Sequence, residues 1–447
     1  MFNVGRFVPL GLALALAGCM PNTPYRTLRD LPPDANGVIN KDRPRVIPAP
    51  VLSPSRECGG SLEEKRCVQF VEFDEFGNPE SRNQLDEALT AAEAVARCGG
   101  LVTVYVHGWH HSAAPDDSDI KNFKTLVFDS AGGKPGLGIY VAWRGDSINS
   151  DSVLGMVPSY LGTFWDRKST AHNIGNGGGV TELLRSLSDI RTGHQTSRFL
   201  VIGHSFGGAI VYSSLSDGIA ENLRRDAQDS KDYSPIADLV VLINPAFEAM
   251  RLRPLYGYAR NYQYPVTQPQ RLIIVTSEAD SATGFWFKVG RRLGTLTQAY
   301  PEGSYVEQDS TAVGHYDPYI THKLTAVKSC PSPDQLLGPA GSSGRPQSMC
   351  IEDENNKLLL TRCDQNGKCD LDGVQHYLNL GKPGSNIPHN FPIYNIRTTK
   401  DVIPSHVSIW KPPMKLVLES LLVKVQDPSS MPIVSSGCAA PASAGAP

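Results

Sequence analysis

One hydroxyl stands between glycines in Gly203-His204-Ser205-Phe206-Gly207, the core of Val201-Ile-Gly-His-Ser-Phe-Gly-Gly208. This is a G-x-S-x-G pattern directly after an apolar run and directly before a helical one. That context makes a sharp strand-to-helix turn. Ser205 would sit strained at a helix N-terminus, where backbone donors favour developing negative charge. The chemistry such a residue supports is nucleophilic attack on a carbonyl, given a base and an acid nearby. A second feature is Val106-His107-Gly108-Trp109, at the end of another apolar run. Gly108 would let that loop approach the serine closely.

These residues need a frame. Apolar, β-branched runs recur at Cys67–Phe73, Leu101–Val106, Gly138–Trp143, Arg198–Ile202, Leu239–Ile243, Arg271–Thr276 and Phe391–Ile396. Helical stretches separate several of them: Gln84–Arg97, Val180–Ile190 and Gly208–Asn222. Strands alternating with helices predict an α/β fold with a mostly parallel central sheet covered on both faces. The stretch from about 284 to 390 is longer than a loop and rich in cysteine. It is expected to be an insertion or cap before the last strand.

Serine elbow, strand order and the glycine-bearing loop together resemble the α/β-hydrolase superfamily, over most of the chain from about 58 to 426. The resemblance implies roles residue by residue. Ser205 is the nucleophile. The backbone N–H groups of Trp109 and Phe206 form the oxyanion hole. The acid follows the strand at 271–276, where Asp280 is preferred over Glu278. The histidine follows the acid in chain order, among His315, His322, His376, His389 and His406. His406, after the predicted last strand and before a terminal helix near Pro413–Val425, holds the family's position, with His315 second. His107 and His204 are expected to orient or pack. His110 and His111 are expected to be solvent-exposed loop residues rather than metal ligands.

The resemblance implies hydrolysis of a carboxylic ester or thioester through an acyl-enzyme, esterase- or lipase-like, on a small-molecule or lipid substrate. It calls for no cofactor and no metal. An acyltransferase on the same scaffold and a non-catalytic envelope-binding or adhesion lipoprotein are the alternatives. Composition narrows the field further. The 447 residues are 40% hydrophobic and 19% charged, which excludes global disorder. With 42 Lys plus Arg against 45 Asp plus Glu, the net charge is -3, and no basic excess suits a nucleic acid.

The N-terminus speaks to location. Met1–Arg6 carries one cation, Phe7–Ala17 is an apolar run too short for a permanent span, and Leu16-Ala17-Gly18-Cys19 follows. This resembles the signal peptide and lipobox of bacterial lipoproteins. It implies removal of residues 1–18, acylation of Cys19, and a cell-envelope protein held by lipid. Met20, rather than Asp, follows, which implies outer-membrane sorting. Residues 19–57 are proline-rich and expected to be a tether, and 427–447 a flexible tail. Setting Cys19 aside, the nine cysteines leave an even number, as disulfides in an oxidising compartment would. Cys58 with Cys67, Cys330 with Cys350, and Cys363 with Cys369 are the short-loop pairings, leaving Cys98 and Cys438. Three motifs are set aside. Arg144-Gly145-Asp146 reads as a turn. The Asp364–Gly373 segment lacks the Glu that closes a calcium loop. The glycines at 175–179 lack the strand and Lys-Ser/Thr pair of a phosphate loop.

Overall fold

Apolar runs flanked by glycine or charge become strands, and the amphipathic stretches between them become helices. The computed structural model describes residues 24–26, 56–59, 66–129, 135–145, 158–229, 234–265, 268–330, 348–363 and 390–426. In chain order the strands are β1 (Arg56–Gly59), β2 (Arg66–Phe73), β3 (Leu101–Val106), β4 (Gly136–Trp143), β5 (Arg198–His204), β6 (Leu239–Ile243), β7 (Leu272–Ser277), β8 (His322–Ala326), β9 (Ser348–Glu352), β10 (Lys357–Arg362) and β11 (Ile393–Thr398). They form one sheet in the order β1-β2-β4-β3-β5-β6-β7-β11-β8-β10-β9. From β2 to β8 every neighbouring pair is parallel, while β1, β10 and β9 run antiparallel at the edges.

The helices are α1 (Arg82–Arg97), α2 (Ser118–Asp129), α3 (Pro158–Asn176), α4 (Gly179–Gly193), α5 (Phe206–Ala227), α6 (Ala249–Asn261), α7 (Phe287–Gly294), α8 (Gly303–Ser310) and α9 (Pro412–Gln426). Alternate residues of each central strand feed two cores. Val102, Val104, Val106, Phe199 and Val201 face one core with side chains of α1, α4, α5 and α6. Leu101, Tyr105, Leu200 and Ile202 face the other with α2 and α9. A sheet buried on both faces explains why its strands read as continuous apolar runs rather than as alternating ones.

This order places the chemistry. β3 and β5 are direct neighbours, yet β3 connects on to β4 on one side and β5 to β6 on the other. The loops leaving β3 and β5 therefore part at the carboxyl ends of the strands. Such a switch point opens a crevice in parallel α/β sheets.

Two expectations are refined. Of the insertion or cap expected over 284–390, the described residues form an insertion into the sheet. β8, β10 and β9 lie in that stretch and extend the sheet itself, because Lys357-Leu-Leu-Leu-Thr-Arg362 is an apolar run that pairs on both sides. The 19–57 stretch is not wholly a tether. The backbone N–H groups of Tyr25 and Arg26 donate to the Glu72 carboxylate at 2.8 and 2.9 Å. Arg26 is fully buried, lies 3.6 Å over the Phe70 ring, donates Nε–H to Ala113 O at 2.7 Å, and pairs with Glu57. Cys58–Cys67 and Cys330–Cys350 are disulfide-bonded, the first across β1–β2 and the second from just after β8 to β9. Cys98 and Cys363 are also disulfide-bonded, whereas Cys369 and Cys438 lie outside the described residues. So do the leader, Cys19 and the tail.

Removing the Arg26 cation leaves Glu57 without one of its partners and strips the Phe70 face. Arg26→Ala is expected to lower stability by about 3 kcal/mol, read as a shifted urea midpoint with unchanged slope.

Candidate active site

Ser205 is held in a backbone conformation that few residues adopt, φ 55° and ψ -119°. Such a conformation costs on the order of 1–3 kcal/mol and persists only when the surroundings over-determine it. Here they do. Ser205 N–H donates to Ile243 O at 3.0 Å, and its carbonyl accepts from Ala246 N–H at 3.0 Å and Ala209 N–H at 3.3 Å. The turn is packed too tightly for side chains. A Cβ on Gly207 would stand 2.1 Å from Val106 O, and one on Gly108 would stand 2.8 Å from both Ser205 Cβ and His204 Nδ1.

The result is a hydrogen-bonded row. Ser205 Oγ lies 2.7 Å from His406 Nε2, and His406 Nδ1 lies 2.8 Å from Asp280 Oδ2. A carboxylate can only accept, so Nδ1–H donates and Nε2 is left to receive the serine proton. Asp280 is buried, which alone would raise its carboxyl. The His406 ring beside it, with hydrogen bonds from His406 and Thr283, overrides this and holds Asp280 down to about 2.

The row continues past the acid. Thr283 donates its N–H to Asp280 Oδ1 at 3.1 Å and its hydroxyl to Oδ2. With that hydroxyl proton committed, the 3.0 Å contact to His315 makes His315 Nε2–H the donor to Thr283 Oγ1. Burial lowers His315 to about 4, so it stands neutral behind the acid. Glu278, the other carboxylate near β7, points away and pairs with Lys323 at 3.0 Å. His322 is buried on β8, and His376 and His389 lie outside the described residues.

The loop bearing His406 is pinned from several strand ends. Its own carbonyl accepts from His204 Nε2 at 3.0 Å and from Asn244 Nδ2 at 2.9 Å. Ser277 Oγ donates to Ile403 O at 2.6 Å, and Trp410 Nε1 donates to Asp119 at 2.8 Å. His204 therefore points away from Ser205 Oγ and holds the partner histidine's backbone. Burial, then the neighbouring His406, keeps it neutral well below the usual imidazole range.

The Trp109 loop lies against the same turn. The Trp109 and Phe206 ring centroids are 6.3 Å apart and both side chains are buried. Phe206 opens α5, so its N–H belongs to a first turn without intrahelical acceptors. His107 fixes the loop's exit. Its Nε2 accepts from Trp143 N–H at 3.1 Å, its Nδ1 meets Gly108 O at 2.8 Å, and burial lowers it to about 4. The expectation that His110 and His111 are solvent-exposed is corrected. His111 is mostly buried and pairs with Asp117 at 3.0 Å, and His110 stacks on Trp109 at 4.1 Å. Asp117 and Asp119 draw the loop inward. No group of three or more His, Cys, Asp or Glu side chains that could hold a metal occurs among the described residues.

Two site residues went unrecognised in the sequence. Thr283 has a weak signal, a hydroxyl three residues beyond a carboxylate at a helix start. Asn244 directly follows the apolar strand β6 in a positive-φ conformation (φ 44°), and its side chain joins the Ser277 N–H to the His406 carbonyl.

No family model and no curated protein matches the chain. Among solved structures it is similar to phospholipase PlaB from Legionella pneumophila in complex with thio-NAD, at 15% identity and TM-score 0.22, over 59% of this chain and 49% of that one. A second structure of that phospholipase matches at 13% identity and TM-score 0.21, over 52% of this chain and 47% of that one. The matched region spans about half the length of that protein. A likeness this faint bears on neither mechanism nor substrate.

The elbow geometry has a direct consequence. Gly207→Ala forces a methyl group into the Val106 carbonyl, and is expected to destabilise by about 3 kcal/mol or more. Thermal unfolding followed by circular dichroism reads this, with Gly257→Ala, which meets nothing within 4 Å, as the control.

Proposed function

We propose that this chain is a serine hydrolase of carboxylic esters on an α/β-hydrolase scaffold, with Ser205, His406 and Asp280 as its catalytic triad. One observation carries the reading: the Ser205–His406–Asp280 row, closed at 2.7 and 2.8 Å, with the serine on a strained strand-to-helix turn. The chain order of serine, acid, histidine and the glycine-bearing loop after β3 support it.

The steps follow from the hydrogen bonds. His406 Nε2 takes the hydroxyl proton as Ser205 Oγ attacks the ester carbonyl. The N–H groups of Trp109 and Phe206 receive the oxyanion, each worth about 3 kcal/mol in the transition state. His406, now carrying two protons, gives one to the departing alcohol. Water then enters and releases the acyl group by the same sequence. Asp280 stays ionised and stabilises the imidazolium; Thr283 and His315 hold Asp280 in place. We further propose that the chain is exported and held to the cell envelope by lipid on Cys19. No described helix is long and apolar enough to cross a membrane.

A fluorophosphonate probe tests the nucleophile. One adduct per chain on Ser205, absent in Ser205→Ala, is expected by mass spectrometry; an unlabelled, folded chain removes the proposal. Asp280→Asn is expected to lower kcat on a soluble ester by about 10⁴-fold. Thr283→Val keeps the shape but removes a hydrogen bond to a charged group, for an expected loss of about 10- to 100-fold in kcat.

The acid limb of kcat/KM should follow one proton. The mechanism needs His406 neutral, so activity falls as pH falls. Asp280 at about 2 and His315 at about 4 take up protons only in strong acid, so neither steepens the limb above pH 5. A slope of two in log(kcat/KM) against pH there would refute this assignment.

A further inference from the structure

The segment that holds the acid in place runs directly onto an unusual surface. Thr283 bonds Asp280, and two residues later Phe285 and Trp286 stand 58% and 44% exposed, their rings edge-to-face at 5.1 Å. Leu293 and Leu296 follow at 64% and 78% exposed. The same stretch is anchored from its other side. Phe287 and Gly290 are buried, and Arg291 turns inward to Glu248 at 3.1 Å and Asp309 at 2.7 Å. The segment from Phe285 to Leu296 thus seats one side of α7 in the core and exposes apolar side chains before, on and after that helix. An apolar surface displayed on a firmly seated helix points to a partner.

Charge says which partner. Residues 281–301 contain Lys288, Arg291 and Arg292 and no carboxylate, in a chain whose net charge is -3. With Arg291 committed inward, Lys288 and Arg292 border the exposed apolar side chains; Glu302 and Glu307 come only afterwards, toward α8. Cations beside exposed tryptophan, phenylalanine and leucine match an anionic lipid–water interface. A second copy of the chain fits poorly, because a two-fold contact would set this basic face against itself.

Position agrees. The surface leaves the carboxyl end of β7, at the same edge of the sheet as Ser205. Pro24–Arg26 docks at this edge too, through Glu72 near the end of β2 and Ala113 in the loop after β3. Only four residues separate Cys19 from Pro24, a span of five Cα steps, so an acyl group on Cys19 would be attached within about 18 Å of the docked segment.

We infer that Phe285, Trp286, Leu293 and Leu296, flanked by Lys288 and Arg292, dock the protein onto an anionic lipid surface and turn its ester-cleaving edge toward lipid. As a route to substrate this rests on the serine-hydrolase reading; as binding it stands alone. The test uses the full chain carrying Ser205→Ala, so that no lipid is consumed, reconstituted with vesicles of phosphatidylcholine and phosphatidylglycerol bearing brominated acyl chains. Bromine should quench tryptophan emission, and Trp286→Phe should remove most of that quenching.

In a Cys19→Ser background, Lys288→Glu with Arg292→Glu should weaken partition to anionic vesicles about 30-fold and leave neutral vesicles nearly unaffected. Phe285→Ser with Leu293→Ser should weaken both by about tenfold or more. Quenching unchanged by Trp286→Phe, or partition unchanged in folded surface variants, overturns the inference. Loss of self-association or of a protein complex in those variants, with vesicle binding intact, overturns it as well. Fluorophosphonate labelling of the Ser205 parent is read separately, so failure of the catalytic reading is distinguishable from failure of docking.

Discussion

The turn at Ser205 is the constraint on which the rest of the structure depends. Its backbone is strained, and the strain is balanced by contacts from three strand ends rather than by local sequence alone. Ile243 and Ala246, before and after the β6 end, grip the serine's N–H and carbonyl. Val106 and His107, at the β3 end, leave no space beside Gly207. A sheet in which β3, β5 and β6 were not neighbours could not hold this turn. The parallel core, buried on both faces, is what keeps those strand ends in register.

The same logic reaches the histidine. His406 lies on a loop about two hundred residues from the serine, and a loop alone would not hold a ring to a few tenths of an ångström. Its carbonyl is fastened by His204, which follows β5's glycine, and by Asn244, which follows β6. The residue before the serine and the residue after β6 thus set the backbone from which His406 reaches Ser205 Oγ. Position and electrostatics are joined here. Burial keeps His107, His204 and His315 neutral, so the one fixed charge facing His406 from this ring of groups is the Asp280 carboxylate. Under the proposed mechanism a proton arriving on His406 is stabilised by Asp280 without competition from a second imidazolium.

The parts legible in the sequence are those with a period or a punctuated turn. The central strands are continuous β-branched runs. The glycines at 203, 207 and 108 mark close backbone approach, and Ser205, Asp280 and His406 meet as their order along the chain suggested. What escaped is short or cooperative. β1, β8, β9 and β10 are edge or antiparallel pieces whose pairing depends on partners distant in the chain. Arg26 looked like part of a proline-rich tether, yet a carboxylate at position 72 and a ring at position 70 draw it into the core. Thr283 and Asn244 carry no motif, since their value lies in which two groups each can bridge. His110 and His111 looked exposed because the loop around them is polar; Asp117 buries His111 by pairing with it.

Holding the acid from outside has a structural consequence. Thr283 and Gly284 lie in the first turn of a helical segment whose other end is anchored, through Arg291, by the buried Glu248 and Asp309. Gly284 sits against the His315 ring, where a Cβ would come within 3.2 Å. The Asp280 carboxylate, its threonine and the exposed apolar side chains therefore belong to one continuous stretch of backbone, against which the neutral His315 packs from a separate turn at 313–315. A force applied at Trp286 is three residues from the hydroxyl that orients the acid. In a packed site such short linkage is rigid. A surface contact made there would act on an arrangement already formed, positioning substrate without rebuilding the row. Under the proposed readings the architecture favours a site organised before it meets its substrate, with the docking surface and the catalytic row joined through Thr283.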